Sequence, residues 1–180
     1  MKTWLASLAC AALCATGLAS VAVAQDPVEA RHEAMEEIGD ANRPMRRMFS
    51  GEAAYDEATV RDSANLIASL AGDDLIALFP EGSGSPESDA LPAIWENWAE
   101  FEELAMRLQT VAEGLALAAG NTEAAAANET SMGALMGGPA PAAETEITVQ
   151  ALAEMPASDV FEMLGDTCGA CHSKFRAKRN

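Results

Sequence analysis

Val160-Phe161-Glu162-Met163-Leu164-Gly165-Asp166-Thr167-Cys168-Gly169-Ala170-Cys171-His172-Ser173-Lys174-Phe175-Arg176 lies close to the carboxyl end of a 180-residue chain. Val160, Leu164, Cys168, Cys171 and Phe175 recur at steps of four, four, three and four. That period strings them along one face of an amphipathic helix starting around residues 156–158, with both sulfurs turned inward. The same stretch holds C-x-x-C-H, the attachment signature of a c-type haem. Each thiol can add to one vinyl group of the porphyrin as a thioether, and His172 can then bind iron through an imidazole nitrogen. The stretch therefore predicts one covalently bound haem c with its iron, on a helix that closes a helical fold.

A zinc half-site uses the same C-x-x-C spacing, but a structural zinc needs a second pair of ligands. The only other histidine is His32, and the only other cysteines, Cys10 and Cys14, lie in a segment expected to be removed. A thioredoxin-like thiol pair belongs in a strand–helix–strand setting, and nothing near Cys168 alternates with a period of two.

Residues 1–24 read as a secretory signal peptide. Lys2 begins it, no charge follows from Thr3 to Gln25, and Ala22-Val23-Ala24 offers small residues where a signal peptidase cuts, before Gln25. The apolar run approaches spanning length, but its Ala, Ser, Thr and Gly content makes it a weak anchor. Neither Cys10 nor Cys14 follows the Leu-small-small triplet of a lipoprotein. The expected location is the periplasm, with no stable membrane insertion.

Residues 25–180 then form one domain, long enough for a proper core. The full chain carries 28 acidic and 11 basic side chains, a formal charge of −17, and losing Lys2 takes it to −18. Such a surface excludes nucleic acid as a partner. It suits redox proteins that present basic docking surfaces.

Upstream of the quoted stretch the chain is also helical in pattern. Asp26-Pro27-Val28-Glu29 is a start signal, with Asp as cap and Pro at the first helical position. Val28, Arg31, Met35, Ile38, Asn42, Met45 and Phe49 follow as one seam, with a kink or break expected at Pro44 and an end at Ser50-Gly51. A second helix starts near Tyr55-Asp56 and buries Val60, Ala64, Ile67 and Leu70 or Ala71. Leu75 to Phe79 make a short apolar turn, and residues 80–86 a loop. A third helix, capped by Ser88, runs through Trp98, Phe101, Ala105, Leu108, Ala112, Leu115 and Ala119 to a stop at Gly120-Asn121. Residues 121–150 are Ala-rich, with Gly137-Gly138-Pro139 and Pro141, and read as a flexible insertion with a transient helix over 122–135. Met132 and Met136 are too few for a soft-metal site. The fold class is all-α: an antiparallel four-helix bundle with haem c attached to the last helix.

A haem motif on the last of four helices resembles the class II c-type cytochromes, the cytochrome c prime family. Phe79-Pro80-Glu81-Gly82-Ser83 resembles the family's loop between its second and third helices, and Ile94-Trp95 the opening of its third. The spacing of four from His172 to Arg176 and the first-helix Arg31 are similar too. The resemblance covers 27–119 and 156–178, not 121–150. It implies that the first helix lies across the distal haem face and aims Met35, four after Arg31, at the iron. Five-coordinate members usually carry a non-ligating apolar residue there and bind nitric oxide or carbon monoxide. A thioether can instead fill the sixth site, as in the low-spin, methionine-ligated branch.

The resulting expectation is an electron carrier, not an enzyme, with His172 and Met35 as axial ligands. A five-coordinate gas binder is the alternative. A peroxidase-like enzyme needs a distal acid–base residue, for which His32 is the only candidate. Met45 and Met48 lie too far along the helix to share the iron. Arg31 is expected at a haem propionate, with Glu29 or Asp40 as competing partners. Arg176, one turn beyond His172, is expected to tune the imidazole. His32 is expected to reach a propionate or solvent. The resemblance also implies a homodimer through the first two helices.

Overall fold

The computed structural model describes residues 26–122 and 147–178, so the signal segment, the helical stretch expected over 122–135 and Met132 and Met136 lie outside the described residues, save Thr122. Seven helices occur among the described residues: α1 (Pro27–Phe49), α2 (Glu57–Leu70), α3 (Asp73–Ala77), α4 (Ala93–Glu96), α5 (Trp98–Ala118), α6 (Val149–Ala153) and α7 (Ala157–Phe175). The long ones, α1, α2, α5 and α7, are the four staves of the bundle.

Local chemistry sets their ends. Asp26 caps α1 by accepting from the Val28 amide at 2.9 Å, with Pro27 at the first helical position. Gly51, at φ 79°, turns the chain out of α1. Asp56 caps α2 through both the amide and the hydroxyl of Thr59, at 2.7 and 2.6 Å. Gly72 at φ 60° separates α2 from α3. A Cβ there would also meet the movable end of the Gln109 side chain, so it is the positive φ that favours glycine.

Three details depart from expectation. First, α1 runs unbroken through Pro44. Proline removes one backbone bond, to the carbonyl of Asp40, but that residue is exposed and water can serve the carbonyl. Packing of Ala41 and Met45, both buried, keeps the helix continuous. Second, Ser88 caps no long helix. Its Oγ accepts from the Ala90 amide at 3.2 Å in a turn, while Ile94 and Trp95 sit on the separate α4 and α5 opens after Asn97. Third, α6 begins at Val149, inside the expected insertion of 121–150, and runs past its end, a short helix that was not expected. Thr148 caps it, and Leu152 packs on Gly114 of α5 so closely that a Cβ on Gly114 would sit 2.4 Å from that of Leu152.

The core is a single cluster in which Met45, Val60, Ile67, Val111, Leu115, Val160 and Leu164 are almost wholly buried. Each such side chain contributes about 1.5–3 kcal/mol of burial. α2 packs on α1 and α5, and α5 on α7 and α6. The fourth side, between α1 and α7, has few close backbone approaches. There Phe49, at the end of α1, stacks on Phe161, near the start of α7, at 4.5 Å and 19°. The two helices therefore run antiparallel, and their other ends flank the residues of the C-x-x-C-H turn.

Candidate metal centre

Cys168, Cys171 and His172 occupy one turn of α7, all half-buried, and both thiols are free. The sulfurs pack against the core. Burial pushes the Cys168 thiol above its ordinary pKa. Burial, and then the neighbouring Cys168, push Cys171 up to about 11, against an opposing pull from Arg176. Both are therefore neutral thiols at pH 7. His172 is pushed the other way, first by burial and then by the charge of Arg176, so its imidazole is neutral and keeps a lone pair for a metal. Two neutral thiols three residues apart and a neutral imidazole on the same turn are the donor set that thioether attachment and iron ligation require. Among the described residues no group of three or more His, Cys, Asp or Glu side chains is placed to hold a bare metal ion.

The turn is held rigidly. Thr167, buried, returns its hydroxyl to the Met163 carbonyl at 2.8 Å. Phe175 is 3% exposed and meets Phe101 edge-on at 5.7 Å. The Leu91 amide donates to the Phe175 carbonyl at 2.9 Å, and the Ala177 amide to the Asp89 carbonyl at 2.8 Å, so the end of α7 is stitched to the segment before α4. Lys174 pairs with Glu100 of α5 at the surface.

Arg31 enters from α1 at the same end of the bundle, 4% exposed. Its Nε donates to the Leu78 carbonyl at 2.8 Å, one Nη to the Ser83 carbonyl at 3.1 Å and the other to the Ser83 hydroxyl. The guanidinium lies over Phe79 at 4.5 Å and Trp95 at 5.5 Å. Burial lowers its pKa, with Asp26 opposing, yet arginine stays charged. Neither competing carboxylate takes it: Asp40 pairs with Arg43 at 2.8 Å, and no ion pair joins Arg31 to Glu29. Phe79 continues to Phe101 at 4.7 Å and so to Phe175. An aromatic row thus links Arg31 to the C-x-x-C-H helix. The sequence quoted all of these residues but gave no sign that Arg31 would be caged by Ser83, Phe79 and Trp95.

Arg176 is exposed and just past α7, its amide donating to the His172 carbonyl at 3.3 Å, and its charge bears on both His172 and Cys171. Met35 is half-buried and packs against the core cluster. His32 is exposed.

A family model described as Cytochrome C' matches residues 26–138. That span ends before Cys168, so the match and the haem motif are independent observations. A cytochrome c' of Rhodopseudomonas palustris is 32% identical over 184 residues, covering 100% of both chains. The solved structure of a cytochrome c' from Rhodopseudomonas palustris superposes with a TM-score of 0.57 at 26% identity, covering 86% of this chain and 98% of that one. A nitric oxide complex of a cytochrome c prime variant from Alcaligenes xylosoxidans gives 0.59 at 23% identity, over 86% and 95%, a likeness of fold.

These findings overturn the expected electron carrier with His172 and Met35 as axial ligands. The family model and the full-length relative are both of cytochrome c', and the Met35 side chain is engaged with the apolar core. The bundle and the covalently bound haem c with its iron stand. With its four-helix bundle, its matched span and its full-length relative, this chain belongs to the cytochrome c prime family.

Proposed function

We propose that this protein is a periplasmic, five-coordinate cytochrome c prime that binds nitric oxide or carbon monoxide. Cys168 and Cys171 hold the haem by thioether bonds, and His172 is the one protein ligand to its iron. The haem, when bound, supplies an iron whose sixth position can take a diatomic gas. The observation that carries the reading is the turn Cys168–His172, whose neutral thiols and neutral imidazole lie half-buried beside a helix pair with few close approaches.

The chain's own residues do the rest. Arg31 uses three of its five N–H groups on the 78–83 loop. The remaining two, on a buried cation without a carboxylate, suit a haem propionate. Arg176 lends positive charge to the proximal side and so weakens the imidazole as a base. Met35 walls the distal side without bonding to iron. Residues 1–24 direct export. Among the described residues no helix is long and apolar enough to cross a membrane.

The acidic surface favours partners with basic docking patches. A homodimer through α1 and α2 is supported by α1 itself. Its first half carries Glu29, Glu33, Glu36, Glu37 and Asp40, and its second half Arg43, Arg46 and Arg47. A two-fold axis crossing α1 sets each acidic half against the partner's basic half.

The visible spectrum of the holoprotein tests the reading. A high-spin ferric spectrum, a ferrous form that shifts with carbon monoxide, and no change of spin state in Met35→Leu are expected. A low-spin ferric spectrum that Met35→Leu converts to high-spin would overturn it.

A further inference from the structure

One buried polar atom among the described residues has no hydrogen-bond partner: Oδ1 of Asn42. An enclosed carbonyl left unpaired costs about 1–3 kcal/mol, so its retention calls for a reason. Packing offers none. Ala41 and Met45 beside it are buried and apolar, and a leucine would continue the seam.

Its position supplies the reason. Met35, Asn42 and Phe49 are spaced by seven along α1 and form one stripe. Phe49 stacks on Phe161, so the stripe faces α7. Phe161 and Cys168 are also seven apart and share a stripe on α7. In antiparallel helices a step of seven back from Phe49 and seven on from Phe161, about 10.5 Å each, brings Asn42 level with Cys168. His172 lies one turn further. The orphaned carboxamide therefore lies level with the C-x-x-C-H turn, on the face of α1 turned towards the helix that carries the proximal imidazole.

We propose that Asn42 is the polar contact of the distal pocket, its carboxamide hydrogen-bonding the small diatomic ligand held between α1 and α7. This rests on the gas-binding reading above and adds the residue that holds the gas. An amide can turn its two ends about without moving its plane, so the inward end presents either the Nδ2 donor or the Oδ1 acceptor. A bound diatomic takes the donor, and a water in its place gives to the acceptor. Asn42 is thus a residue for ligand selectivity, favouring ligands whose outer atom accepts a hydrogen bond. Met35, one end of the same stripe, has no N–H or O–H to offer.

The test is Asn42→Leu in the full holoprotein, read by the infrared C–O stretch of the ferrous carbon monoxide adduct and by the rate of carbon monoxide loss. A donor aimed at the ligand oxygen increases electron flow from iron into the C–O antibonding orbital and lowers the stretch. The variant is expected to shift the stretch upward and release the gas roughly three- to tenfold faster, the worth of one hydrogen bond. Its thermal stability should hold or rise, because the unpaired group is gone. An unchanged stretch and release rate, with wild type binding the gas, would overturn the role of Asn42 alone. A wild type that takes no carbon monoxide would overturn the gas-binding reading and this inference with it.

Discussion

Arg31 is where sequence and structure disagree most usefully. A cation on an apolar seam asks for an anion, and the chain instead answers with two carbonyls, a hydroxyl and two aromatic faces. Such a cage depends on the planar fork of the guanidinium. Lysine would keep the charge but could not reach Leu78 and Ser83 together while lying flat on Phe79. Arg31→Lys is expected to lower stability by about 2 kcal/mol in urea unfolding, two neutral-acceptor bonds to a charged donor having been lost. It should also loosen the 78–83 loop, read as faster amide exchange at Ser83, whose carbonyl and hydroxyl both receive the guanidinium. Stability equal to wild type would show that the cage is incidental to the fold. The seam position of Arg31 was legible in the sequence. The cage was not, because Ser83 stands far along the chain and no local pattern ties it to Arg31.

At the scale of the element, most of what was legible is capping and periodicity. Asp26-Pro27, Asp56 and Gly120-Asn121 marked ends that the helices respect, since caps act through neighbouring residues. What failed depended on contacts with other elements. Pro44 was expected to kink or break α1, but the helix continues through it, because burial of its neighbours outweighs one lost bond. α6 carries too few residues to show a period, and it exists because Leu152 finds Gly114. Asn121 then ties the strand of chain before the insertion to the chain after it, its Nδ2 donating to the carbonyls of Ala153 and Met155 at 2.8 and 2.9 Å. The cap of α2 gives a pH signature. Hydrogen bonds from Thr59, side chain first and then backbone, hold Asp56 below the ordinary 3.8. A carboxyl depressed in the folded state stabilises it fully above the unfolded value, and that share is lost as pH falls through the folded one. Asp56→Ser keeps a cap but has no charge to lose. The melting temperature of wild type should therefore exceed that of the variant at neutral pH, and the gap should narrow as pH drops below 3.8. A gap independent of pH would mean that the carboxylate charge takes no part in the cap.

For the molecule as a whole, the haem motif and the bundle could be read from the chain, while the state of the iron could not. A methionine four residues after Arg31 can ligate or pack, and both choices look alike as letters. Net charge has the same ambiguity, because −17 says nothing of how it is arranged. At the exposed positions of α1 the arrangement is segregated, acids from Glu29 to Asp40 and bases from Arg43 to Arg47, and this constrains how two copies of the proposed dimer can meet. Side by side in parallel, like halves would repel. Antiparallel across a two-fold axis, each acidic half faces a basic one, and every contact occurs twice. The proposed dimer should therefore weaken as salt shortens the reach of these charges, to about 3 Å at 1 M. Sedimentation at low and high salt reads this directly. Charge exchange is the sharper check. Glu36→Lys alone and Arg47→Glu alone should each shift the molecule towards monomer, since each sets like charges against one another twice. The double variant Glu36→Lys/Arg47→Glu should recover the dimer, because the two halves of α1 then regain opposite signs across the axis. Monomer in the double variant, with the bundle still folded by its helical circular dichroism, would exclude the antiparallel α1 contact.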